Sequence, residues 1–148
     1  MPYWRWVRLA PFLYLGGTVA LVLVKLIAPV VNGSQRWIAI AGQRFQPSEF
    51  MKVVFVLTCA RLCRFGRPLT EPKDWGRVLL LAAMPMGLIL VQPDLGTSLL
   101  FLPVALAILW TQGLPRRGLI LLTVLGLLAV VVLYQFGLKE YQRERIRS

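Results

Sequence analysis

The feature that most limits what this chain can fold into is a run of 21 residues without a single charge, GLILLTVLGLLAVVVLYQFGL at 118–138. An α-helix rises about 1.5 Å per residue, so a run of that length crosses the roughly 30 Å hydrocarbon core of a bilayer. The rest of the chain repeats the pattern. Its 17 Lys and Arg and 6 Asp and Glu fall in short clusters between nearly uncharged stretches, and 57% of the 148 residues are hydrophobic. Such a composition excludes an ordinary soluble domain.

After Arg8 the chain stays apolar to Val31 except for Lys25, which lies near the far end, where it can snorkel or face protein. From Val78 to Pro115 the only charge is Asp94. One helix over 78–110 would measure about 50 Å, too long for a single crossing, so a break at QPDLGT, 92–97, is expected to divide it in two. The run 50–60 is short, and becomes a span only if its helix starts near Pro47 and continues through Cys63, taking Glu49 and Lys52 with it. The fold class expected is therefore all-α: a polytopic membrane helix bundle, one membrane domain over 1–148, with about five transmembrane helices at 8–31, 47–65, 78–92, 96–111 and 118–137. Residues 138–148 then begin an extracytoplasmic loop.

With Arg5 and Arg8 inside, nine basic residues fall on the cytoplasmic side (Arg5, Arg8, Arg61, Arg64, Arg67, Lys73, Arg77, Arg116 and Arg117) and six outside. That bias follows the positive-inside rule. The outer six, Arg36, Arg44, Lys139, Arg143, Arg145 and Arg147, need another cause, which an anionic ligand at the outer face supplies. The basic residues form no continuous stripe, so nucleic acid is not an expected partner. There is no histidine, so imidazole catalysis and His ligation of metals are excluded. Cys59 and Cys63 are too few for a structural zinc site and read as small apolar packing residues ahead of a redox pair.

Two stretches concentrate polar residues at membrane depth. In RFQPSEFMK, Pro47 suits the first position of a helix and Glu49 its first turn. Glu49 and Lys52, three apart, share a face and pair there. The pair is either a structural ion pair or the lining of a cavity for an anionic or sugar-rich head group, because a buried pair costs more than it returns. In QPDLGT the helix breaks, a feature tolerated in membranes where it lines a cavity or is covered by protein. Asp94 either caps the next helix through backbone N–H groups or faces a ligand. The basic tail YQRERIR reads as a solvated extension or as a segment that attracts phosphate.

Taken together, NGSQRWI, RFQPSEFMK, QPDLGTS and YQRERI, in this order and at these spacings, resemble the SEDS (RodA/FtsW/SpoVE) family of bacterial cell-wall polymerases, and QRFQPSE and YQRERI resemble its RodA branch more than its FtsW branch. The resemblance implies a multi-pass protein of the bacterial inner membrane that polymerises lipid II, a lipid-linked disaccharide-peptide, for cell elongation or division with a class B penicillin-binding protein. It implies substrate-cavity roles for Arg36, Trp37, Gln46, Glu49, Lys52, Gln92, Asp94, Tyr141, Arg143 and Arg145, and structural roles for Pro47, Ser48, Pro93, Gly96 and Thr97. No cofactor is evident; a divalent cation is compatible with the resemblance. The family's essential aspartate is expected just beyond Ser148, with further spans before and after, so the chain matches about the third to seventh spans and by itself is expected not to polymerise. Two other functions fit the same residues: a flippase for the lipid-linked precursor, or a non-catalytic membrane subunit that docks the penicillin-binding protein.

Overall fold

A computed structural model describes residues 2–29, 37–65, 71–92 and 94–137. Arg36, Pro93, Tyr141, Arg143 and Arg145, and with them the expected start of an outer loop at 138–148, lie outside the described residues. The chain, expected to form one domain, divides into two compact units, 1–113 and 114–148.

The first unit holds α1 (Tyr3–Ile27), a hairpin of β1 (Ile38–Ile40) and β2 (Gln43–Phe45), α2 (Pro47–Phe65), α3 (Pro72–Val91), α4 (Leu95–Leu99) and α5 (Phe101–Thr111). The second holds α6 (Arg116–Val132), which runs into a π-helical turn at Leu133–Gly137. Among the described residues two helices, α1 and α3, are long and apolar enough to cross a membrane by length and composition alone. α2 carries Glu49, Lys52, Arg61 and Arg64, the stretch Leu95–Thr111 is shorter, and α6 with its π-helical turn is helical over residues 116–137.

α1 and α2 pack antiparallel. At position 17 only a glycine fits without a shift, because a Cβ there would stand 2.7 Å from the Met51 sulfur; close approach of backbones through small residues is how helices associate in lipid. α3 runs parallel to α1, with residue 14 tied to residue 81 and residue 21 tied to residue 92. α5 returns beside α2, with the Phe55 and Phe101 rings 5.5 Å apart. The core between these helices includes Leu21, Val24, Met51, Phe55, Val78, Ile89, Phe101 and Leu109, all almost fully buried.

Prolines lie within two of the packed helices, Pro11 in α1 and Pro85 in α3. Each lacks the N–H that would bond the carbonyl four residues back, and in a medium without water that carbonyl must find another donor. The neighbours supply one in both cases. Arg61 Nη1 lies 3.4 Å from the Val7 carbonyl and 2.9 Å from that of Arg8, and the Tyr14 hydroxyl donates to the Leu81 carbonyl at 2.7 Å. Thr58 adds a weaker bond, 3.4 Å, to the Ala10 carbonyl.

The hairpin is an addition to the all-helical expectation. Ile38 pairs with Phe45 and Ile40 with Gln43, so the loop has two residues, Ala41 and Gly42. Both have positive φ, +51° and +81°, as the tight turns whose twist matches a hairpin require. Alanine at the first of these positions hides the usual Asn-Gly or Gly-Gly signal. Cys59 is buried and Cys63 partly so, both as free thiols.

Candidate functional site

The two polar stretches singled out in the sequence meet at one end of the first unit, where α1 and α3 finish and α2 and α4 begin. The hairpin leads directly into this junction, with the Phe45 ring 6.4 Å from that of Phe50. Trp37 stands immediately before β1 and is half-buried. α2 begins at Pro47, which is fully buried and gives up no helical bond there.

Gln46 and Asp94 join the starts of α2 and α4. Gln46 Nε2 donates to Asp94 Oδ2 at 3.3 Å. Asp94 also accepts from the Thr97 backbone N–H at 3.3 Å and from the Thr97 hydroxyl at 2.8 Å. It is therefore the N-cap of α4, and its carboxylate is buried while it does this. Gly96, one residue away, has open space around the position of a Cβ, so its role in the break is not steric.

Gln92 is more deeply buried still, at 1% exposure, and its amide donates to the Leu21 carbonyl at 2.8 Å. The donor side of this expected cavity residue is thus committed to holding α3 on α1. Ser98 does the same between α4 and α3, donating to the Met86 carbonyl at 3.0 Å. Ser48 differs from both. It is 1% exposed, and its hydroxyl has no hydrogen-bond partner among the described residues; a buried hydroxyl left so costs about 1–3 kcal/mol.

Glu49 and Lys52 form the ion pair expected from their spacing, with Lys52 Nζ 2.7 Å from Glu49 Oε2. The pair is not buried by the described residues: the Lys52 side chain is 26% exposed and that of Glu49 56%. An ion pair this open contributes little to folding. It projects a carboxylate and an ammonium from the first turns of a 19-residue helix, beside a junction whose other polar groups are mostly satisfied internally. Such a surface can hold an anion through Lys52 and hydrogen-bond hydroxyls through Glu49. Asp94 is less suited to take a proton from a substrate, because its oxygens already serve Thr97 and Gln46. Among the described residues no group of three or more His, Cys, Asp or Glu could hold a metal.

Sequence reasoning missed Tyr14, Thr58, Arg61 and Ser98 as the groups that tie the helices together. For Tyr14 the signal was present as a single polar side chain inside an apolar run, and for Ser98 as the last residue of the polar QPDLGTS stretch. It indicates a need for a partner without naming one.

The sequence profile of the FTSW_RODA_SPOVE family, described as a cell cycle protein, matches residues 1–148. The peptidoglycan glycosyltransferase MrdB of Escherichia coli (strain K12) is 37% identical over 139 residues, a match covering 93% of this chain and 37% of that protein. A solved structure described as showing structural coordination of polymerization and crosslinking by a peptidoglycan synthase complex superposes with a TM-score of 0.81 at 34% identity, covering 99% of this chain and 43% of the other. The crystal structure of the rod shape determining protein RodA from Thermus thermophilus gives 0.73 at 33% identity, over 86% of this chain and 43% of that one. The chain thus spans well under half the length of these relatives.

Proposed function

Because the chain belongs to the SEDS family of FtsW, RodA and SpoVE proteins, with the RodA/MrdB branch among its relatives and a partial SEDS helical fold, we propose that it serves peptidoglycan glycan polymerisation in a bacterial inner membrane, as a multi-pass segment that binds the lipid-linked disaccharide-peptide. The observation that carries the reading is the Glu49–Lys52 pair, close at 2.7 Å yet left open at the start of α2. A charge pair that adds little to stability and is exposed beside a packed polar junction has its use in binding. Lys52 offers an ammonium to the substrate diphosphate, and Glu49 orients it. Trp37 and Gln46, just before α2, stand at the same end of the first unit. The likeness to the structure of a peptidoglycan synthase complex supports a class B penicillin-binding protein as the partner.

The test is photo-crosslinking of the full chain, reconstituted in bilayer discs, with a lipid-linked disaccharide-pentapeptide carrying a photoreactive group. Crosslinks should map to the first turns of α2, and Lys52→Gln should reduce the yield by about tenfold, the loss of one charge-assisted contact. Equal crosslinking of wild type and Lys52→Gln would overturn the assignment.

A further inference from the structure

We propose that the opposite end of the α1–α2 pair is a binding patch for the phosphate headgroups of anionic glycerophospholipids, with Arg5 and Arg8 as the ligands. Both arginines are exposed, and neither has a carboxylate partner among the described residues. Their guanidinium carbons lie 5.6 Å and 5.1 Å from the centroid of the Trp4 ring, which is itself 40% exposed. Cation–π attraction to one indole keeps both guanidinium groups close to the same ring while leaving their N–H groups able to bond an anion.

Two further arginines, on α2, stand at the same end. Arg64 lies over the Tyr3 ring, 5.3 Å from its centroid, and Arg61 spans the carbonyls of Val7 and Arg8. The two carboxylates at the start of α3 are already engaged, Glu71 with Lys73 and Asp74 with Arg77. The first turn of α1 contains no acidic residue. Charge complementarity therefore calls for an anion. Its position selects a lipid over a soluble phosphate: Tyr3, Trp4 and Trp6 are exposed where α1 passes from its basic start into an apolar run, the arrangement of an aromatic belt at a bilayer surface. The inference rests on the chain lying in a membrane and is independent of the polymer it helps to make.

The full chain is reconstituted in phosphatidylcholine bilayers with a trace of spin-labelled phosphatidylglycerol or spin-labelled phosphatidylcholine, and the motionally restricted fraction of each label is compared. The expected preference for phosphatidylglycerol is roughly fivefold, falling to about one in the Arg5→Gln/Arg8→Gln variant. The Arg116→Gln/Arg117→Gln variant, which removes the same charge from α6, keeps the preference. Trp4→Ala lowers it about twofold by loosening the pair, and provides a second reading should the double variant fail to insert. The proposal is overturned if wild type shows no preference, if Arg5→Gln/Arg8→Gln or Trp4→Ala retains it in full, or if Arg116→Gln/Arg117→Gln loses it equally. Release of the restricted label by inorganic phosphate, at matched ionic strength against chloride, overturns the lipid as the source.

Discussion

The two ends of the α1–α2 pair handle polarity in opposite ways. Where α2 begins, Asp94 and Gln92 are buried and bonded to Thr97, Gln46 and the Leu21 carbonyl, whereas Glu49 and Lys52 are left open. Where α2 ends, the arginines bond carbonyls and lie over aromatic rings, and no carboxylate of the described residues faces Arg5 or Arg8. A buried polar group must find its partner within the fold, whereas an interfacial one can find it in the surroundings. The first end is thus sensitive to small chemical changes and the second tolerant of them.

The sharpest way to break that contrast is Gln92→Glu, which replaces an amide donor with an acceptor against the Leu21 carbonyl. Burying that carboxylate should cost at least about 3 kcal/mol, read as loss of folded protein in a thermal melt of the detergent-solubilised chain. If the melt is unchanged, the Gln92 tie is not holding α3 to α1. Next in size, Tyr14→Phe leaves the Leu81 carbonyl unpaired at the Pro85 break and should destabilise by about 1–3 kcal/mol. Pro85→Ala returns an N–H to that carbonyl, so the double variant should melt closer to wild type than Tyr14→Phe does. Strict additivity of the two changes would show that the hydroxyl does not serve the proline gap.

Asp94→Ala removes the α4 cap and the partner of Gln46, with an expected loss of about 0.5–2 kcal/mol. Glu49→Gln, at the same end but on the open pair, should cost about 1 kcal/mol or less. A larger melt shift for Glu49→Gln than for Asp94→Ala would reverse the division between structural and open carboxylates. The smallest effect belongs to the basic end: Arg5→Gln/Arg8→Gln should leave the stability within about 0.5 kcal/mol of wild type, while changing the lipid selectivity.

Much of the helix layout was legible because its causes are local. Pro47 starts α2 and the carboxylate of Asp94 caps α4; a missing N–H and a short acceptor side chain act within one turn. The i, i+3 spacing of Glu49 and Lys52 likewise foretold their contact. Its exposure was not foretold, since burial depends on which helices cover α2. The use of Gln92 was equally hidden: the same amide suits a ligand or a neighbouring carbonyl, and only the parallel course of α1 and α3 brings Leu21 within reach.

By itself, the sequence determined where the chain is apolar for the length of a helix, where it must break, and which family's motifs it carries, because hydropathy, proline geometry and capping act over a few residues. Tertiary structure alone decided which polar groups are spent on the fold and which are left for other molecules. The carbonyls freed by Pro11 and Pro85 exist in any helix with that sequence, but that Arg61 and Tyr14 answer them follows from the packing of α2 and α3 against α1. A hydrogen bond 67 residues apart in the chain is a matter of distance in space, and hydropathy carries no record of it.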